Sequence, residues 1–161
     1  MSEINKLSSH LKFLKSNPIT QFEVGSYVPQ DLQVDEDPID NAFCFNISEK
    51  GSVIFIISVS CSVCKIDSIQ LLTKLYPEFQ YILFTDGTKE DVEQQRLFLN
   101  QVEIVRANIF HIIRQLGIPG VPYALGINSD GQIVSGRPFD SIESLKKAIS
   151  PLLEVYYNEV L

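Results

Sequence analysis

Two hydrophobic periods alternate along this chain, and the points where one gives way to the other mark its elements. Within residues 52–58 the run Val-Ile-Phe-Ile-Ile is apolar at every position, the composition of a strand covered on both faces. From Ser62 onward Ile66, Ile69, Leu72 and Leu75 recur at helical spacing as far as Tyr76, and Pro77 ends that helix by pushing its predecessor out of the helical region. A strand over 80–85, a turn at Asp86-Gly87, a polar helix over 89–99 and a short strand over 103–105 come next. A second amphipathic helix over 108–116 carries Ile109, Ile112, Ile113 and Leu116 on one side, and Gly117 stops it. Segments 122–128 and 132–135 flank Asn128-Ser129-Asp130-Gly131, a connection so short that it joins antiparallel neighbours in a hairpin. The last helix starts at Ser141, with Ser144 in reach to cap it, and runs through Ile142, Leu145, Ile149, Leu152 and Leu153, with a bend predicted near Pro151.

Ahead of these elements, Ile4, Leu7, Leu11 and Leu14 space a short amphipathic helix over residues 1–15. Residues 17–40, with Pro18, Pro29 and Pro38, read as an irregular lead-in with one short edge strand near 22–24. A strand over 42–47 then reaches the Glu49-Lys50-Gly51 turn. The expected organisation is an N-terminal helix and irregular extension over 1–40 followed by one domain over 41–161. Strands alternating with helices, then a hairpin and a closing helix, describe an α/β domain with a central mixed sheet flanked by helices on both faces.

Composition narrows the partners. The 161 residues are 45% hydrophobic, enough for a proper core, and the net charge of −7 excludes the basic face that nucleic acid or an anionic membrane needs. The longest apolar run, residues 53–59, falls short of the roughly 20 residues of a membrane span. Residues 1–15 lack the basic-then-apolar pattern of a secretory signal, so a cytoplasmic location is expected, or an extracytoplasmic one if a leader has been removed.

The candidate chemistry lies in Cys61-Ser62-Val63-Cys64, at a strand-to-helix junction. The free amides and partial positive charge of a helix N-terminus favour a thiolate, which makes Cys61 the expected nucleophile, with Lys65 as a cationic neighbour. Cys64, one turn further on, is placed to close a disulfide and to release a mixed disulfide. The chain has three cysteines, too few for a stapled secreted scaffold. Cys44, His10 and His111 have no zinc spacing, so neither a metal nor a cofactor is expected. Cys44, Phe43, Phe45 and Phe55 read as core, and the two histidines are assigned no role.

The apolar strand leading into Cys61-Ser62-Val63-Cys64, the helix after it, and Leu116-Gly117-Ile118-Pro119-Gly120-Val121-Pro122 followed by Asn128-Ser129-Asp130-Gly131 together resemble thioredoxin-like proteins, closest to the TlpA and MauD branch. The resemblance spans residues 25–153. It implies a thioredoxin fold in which the segment between Thr85 and Asn108 is a TlpA/peroxiredoxin-type α-β insertion. It implies that Pro122 is cis and faces the cysteines, that the Val121 backbone pairs with a substrate strand, and that Ser62 and Val63 contact substrate. It further implies a bacterial thiol-disulfide oxidoreductase with Cys61 and Cys64 catalytic. Such an enzyme would be monomeric, acting on a protein or peptide thiol or disulfide such as a maturing bacteriocin-like peptide, with a redox partner protein. Ser62-Val63 matches neither Gly-Pro nor Pro-His, which leaves the direction of exchange open. The alternative is a non-catalytic module of the same fold that holds peptides on Val121-Pro122 and the apolar surface around it.

Overall fold

A computed structural model describes residues 23–35, 42–61 and 66–161. The helix expected over 1–15 and the boundary at residue 40 lie outside them. In chain order the described elements are β1 Asp31–Gln33, β2 Ala42–Cys44, β3 Ser52–Ile56, α1 Ile66–Leu75, β4 Gln80–Thr85, α2 Lys89–Phe98, β5 Val102–Arg106, α3 Ile109–Leu116, β6 Tyr123–Ile127, β7 Ile133–Pro138, α4 Ile142–Ala148 and α5 Ser150–Tyr157. The main sheet has the order β5-β4-β3-β6-β7. β3 pairs parallel with β4, and β4 with β5, each step crossing over through a helix as parallel neighbours require. β6 pairs antiparallel with β3, and β7 with β6, as the short turn demands. The mixed sheet is therefore the expected one, with α2 and β5 forming the inserted α-β unit and supplying one edge.

All five residues of β3 are buried, and its alternation divides the core in two. Val53 and Phe55 face Ile69 and Leu72 of α1 and Leu145, Leu152 and Leu153 of the C-terminal helices. Ile54 and Ile56 face Ile109, Ile112 and Leu116 of α3 and Leu32 of β1. Phe55 stacks on Tyr81 at 6.0 Å between ring centroids and meets Phe139 edge-on at 6.1 Å. The helix ends follow the sequence closely. Thr88 caps α2 in a box with Asp91, Ser141 caps α4 with Ser144, and Gly117 closes α3 in the left-handed region at φ 67°. The bend at Pro151 is a break: α4 ends at Ala148, and α5 starts with proline in its first turn, where the missing N–H leaves nothing unpaired.

Three expectations are corrected. β2 stops at Cys44 and pairs with β1 in a separate two-stranded ribbon, so Cys44 does not lie beside β3. Its side chain is exposed, because Phe43, opposite the fully buried Leu32, turns inward and the period of two turns Cys44 out. Residues 23–24 form no strand: Gly25, at φ 94°, sits in a turn and its N–H donates to the Ile133 carbonyl at 2.7 Å.

The chain end is tied back by Glu159, whose carboxylate accepts from Tyr76 Oη at 2.5 Å and from Lys146 Nζ at 3.4 Å. The tyrosine hydrogen bond, reinforced by Lys146, holds the Glu159 carboxyl below its ordinary value. Burial first, and then the bond to Glu159, push the Tyr76 phenol up, so it stays a donor through neutral pH. A carboxyl depressed in the folded state stabilises the fold above its unfolded value, and that contribution is lost as pH falls through the folded value. Tyr76→Phe is therefore expected to be less stable than the parent at neutral pH, with the gap closing as pH drops below about 4.3 in a series of urea titrations. A gap that does not change with pH would assign the loss to packing. In the core, Phe55→Ala is expected to cost about 3–5 kcal/mol in the same titration at pH 7.

Candidate functional site

The ladder between β3 and β6 ends at Ile56 opposite Tyr123. The chain leaving β3 toward Cys61 and the chain entering β6 from Gly120, Val121 and Pro122 thus lie at one end of the sheet. A carboxylate from the next strand fixes the first of these segments. Asp86, just past β4, accepts from Ser58 Oγ at 2.7 Å and from the Val59 N–H at 2.9 Å. Ser58 Oγ lies 2.8 Å from Ser60 Oγ, and the Cys61 N–H donates to the Ser58 carbonyl at 3.0 Å. The loop is thus stitched by hydrogen bonds to a charged group, the stronger kind. Gly87 has no side chain for a steric reason: a Cβ there would stand 2.9 Å from Asp91 Cβ and 3.0 Å from Val59 Cγ1. Arg106 Nε closes the corner by donating to the Gly87 carbonyl at 2.8 Å.

The second segment is an open edge. The Val121–Pro122 bond is cis, Pro122 is buried, Val121 is half-buried against the α3-side core, and Pro119 is exposed. The Ile118 N–H still bonds back to the Ile113 carbonyl at 3.1 Å. Beyond it, the backbone N–H and C=O groups of Gly120 and Val121 have no hydrogen-bond partner among the described residues. A Cβ added at Gly120 would meet nothing within 4 Å. Among the described residues the backbone of these two half-buried residues, just ahead of β6, is therefore unpaired.

Of the residues singled out by sequence, Cys61, Val121 and Pro122 are brought to this end of the sheet, while Ser62, Val63, Cys64 and Lys65 lie outside the described residues. The described cysteines, Cys44 and Cys61, are both free thiols on different parts of the fold, one on the outer ribbon and one after β3, and no disulfide or cysteine pair occurs among the described residues. The ionisable group hydrogen-bonded to the loop before Cys61 is a carboxylate, whereas activation of a cysteine nucleophile draws on nearby positive charge. The expectation of a thiol-disulfide oxidoreductase with a redox-active centre and a disulfide bond is corrected on these findings. Among the described residues there is no cluster of three or more metal-ligating side chains, and no helix is long and apolar enough to cross a membrane.

Sequence reasoning missed Asp86 and Gly87 as site residues. Asp-Gly signals only a turn; the grip on Ser58 and Val59 comes from the parallel pairing of β3 with β4, which sets Ile56 opposite Phe84.

Fold and site define a thioredoxin-type α/β domain with a cis-proline loop at the same end of the sheet as a carboxylate-anchored loop. No protein-family model matches the chain, and no curated protein matches it. Solved structures do. The chain is similar to a thio-disulfide isomerase from Thermus thermophilus, with a TM-score of 0.60 at 16% identity over 81% of this chain and 96% of that one. It is similar to a putative thiol:disulfide interchange protein DsbE from Chlorobium tepidum, with a TM-score of 0.59 at 15% identity over 83% and 99%. A peroxiredoxin-like protein from Aquifex aeolicus gives a TM-score of 0.58 at 12% identity over 82% and 88%. At these identities the likeness is one of fold alone, the thioredoxin type.

Replacing Asp86 with alanine leaves the Ser58 hydroxyl and the Val59 amide without their acceptor. We expect a loss of about 1.5–3 kcal/mol in chemical denaturation, with faster hydrogen exchange confined to the Val59 amide and its neighbours, and a smaller loss for Asp86→Asn.

Proposed function

We propose that the chain is a non-catalytic thioredoxin-fold module that binds an extended polypeptide segment along Gly120 and Val121, with residues 41–161 forming the module. Among thioredoxin-like branches we set it beside TlpA and MauD, a reading supported by the inserted α2-β5 unit and by the motif around Val121 and Pro122.

The backbone of the half-buried Gly120 and Val121, unpaired among the described residues, carries this reading. A strand edge with free N–H and C=O groups is a template for an added strand, and β-strand addition is a general mode of peptide recognition. Each main-chain hydrogen bond so formed contributes a net of about 0.5–1.5 kcal/mol. The few groups offered here give only a few kcal/mol, and a millimolar complex already needs about 4 kcal/mol. Side-chain contacts beside the edge must supply the rest. The loop at Val59, itself half exposed, offers apolar surface for them.

The test is binding of an array of short unstructured peptides, read by fluorescence polarisation. A variant with both Cys61→Ser and Cys64→Ser is expected to bind as the parent does. Gly120→Leu has room in the fold, yet it places bulk on the edge, and we expect it to lose at least about tenfold in affinity while melting normally. Loss of all binding in the cysteine-free variant would move the function to thiol chemistry, and parental affinity in the leucine variant would remove the edge from the site.

A further inference from the structure

β7 is the last strand of the main sheet, and its outer edge is covered for only part of its length. Residues 25–28 run antiparallel along its start. The Val28 N–H donates to the Gly131 carbonyl at 3.0 Å, Tyr27 bridges Gln132, and Ile133 gives its N–H to the Ser26 carbonyl at 2.8 Å and accepts from the Gly25 N–H at 2.7 Å. At Gly25, φ 94°, the chain turns off, and the Ser26 N–H closes that turn on the Glu23 carbonyl at 3.0 Å. Past Ile133 the outward main-chain groups of residues 134–137 have no hydrogen-bond partner among the described residues. An edge already lined by one stretch of extended chain is a template for another just beyond it.

Beside this open stretch lies a groove of about 480 Å³, between β7 and the corner where α4 gives way to α5. Arg137 stands opposite Ala124, a residue of the core under α4 and α5, and directly opposed residues share a face of the sheet, so Arg137 is on that side. Lys147, in the last turn of α4, lines the same groove. Both cations are exposed, and neither forms an ion pair among the described residues, not even Lys147 with Glu143 one turn before it. The adjacent Lys146 is held by Glu159 instead. No carboxylate lines the groove among the described residues, and Val24, Val134 and Pro151 supply its apolar surface.

Free main-chain groups with two unpaired cations beside them complement an extended segment that carries a carboxylate at one position. A second copy of this chain fits less well, because pairing two β7 edges about their middle brings their cations together. A basic side chain at that position would face Arg137 and Lys147, and an apolar one would leave both unpaired. The net charge of −7 works against a partner that is acidic throughout, which narrows the fit to an isolated aspartate or glutamate. We propose that the open edge of β7 docks an extended segment of another protein, main chain to main chain, with one aspartate or glutamate side chain set on Arg137 and Lys147. This is a second site, and it does not depend on the reading given for Gly120 and Val121.

The experiment titrates the full chain with short unstructured peptides in two-dimensional NMR, which registers even millimolar complexes, each peptide carrying glutamate, glutamine, leucine or lysine at one position in turn. The amides of residues 134–137 are expected to shift and to exchange more slowly with solvent. Glutamate is expected to bind about threefold to tenfold more tightly than glutamine at one position only, and by less at high salt. The double variant Arg137→Gln with Lys147→Gln changes two exposed, unpaired side chains. It is expected to melt as the parent does and to bind the glutamate and glutamine peptides alike, with residues 134–137 still shifting. Gly120→Leu is expected to leave the preference intact. A preference equal at every position, or one that survives in the double variant, would make the attraction one of general charge and overturn the carboxylate contact. A preference lost in Gly120→Leu would assign that contact to the other edge and overturn it here. No response at residues 134–137 to any peptide, or a concentration-dependent dimer formed through them, would overturn the β7 assignment, whatever the peptides do at Gly120 and Val121.

Discussion

Strand β3 is hydrogen-bonded on both edges and covered on both faces, and the placement of every group in the site follows from that constraint. Its residues have no exposure to trade, so its register is set by the two cores that Val53 and Phe55, on one side, and Ile54 and Ile56, on the other, must fill. A slip of one position would exchange the two sets between dissimilar cores. With the register set, the C-terminal end of β3 meets the start of β6 and the end of β4 at fixed heights. Ser58 and Val59 then come within hydrogen-bond reach of Asp86, and Val121 and Pro122 arrive at the same end of the sheet. The loop is polar, but a rigid hydrophobic frame positions it, which is the usual division of labour between scaffold and site.

Elements with local signals were legible in the sequence. The apolar run of β3, the helical spacing of α1 and α3, the Asn128-Ser129-Asp130-Gly131 turn and the Ser141 cap each rest on residues within a few positions of one another, and each lies where its signal put it, while the bend expected near Pro151 is a break between two helices. β1 was not legible, because Asp31 and Gln33 flank a single apolar residue, Leu32, and the strand exists through its pairing with β2. The exposure of Cys44 was misread for a related reason. Ala-Phe-Cys-Phe is apolar at every position and carries no alternation, so only the partner strand reveals which face looks out.

Less of the site was legible than of the fold. The loop through Val121 and Pro122 could be read from its motif, and its peptide bond has the isomer that the resemblance implied. The cysteine motif was the loudest signal in the chain, and it pointed to exchange chemistry. The described surroundings of Cys61 are a serine-rich loop bonded to a carboxylate. Asp86 carries no local signature, because it reads as a turn. Its grip on the Ser58 hydroxyl and the Val59 amide follows from the parallel pairing of β3 with β4, and a linear pattern does not encode which residues such a pairing sets side by side.

Gly87 shows how the parts depend on one another. Val59 and Asp91 both fill the space that a Cβ at Gly87 would need, so the loop after β3 and the start of α2 are packed through a position with no side chain. Asp91 thereby serves two structures at once, capping α2 through Thr88 and walling the space beside Val59. The surplus of acidic groups across the chain, a net charge of −7, acts over longer range: it attracts a basic partner and repels an acidic one before any contact is made. In the binding mode proposed above, main-chain pairing at Gly120 and Val121 is blind to sequence, so the field of the acidic surface is what separates one strand from another before contact.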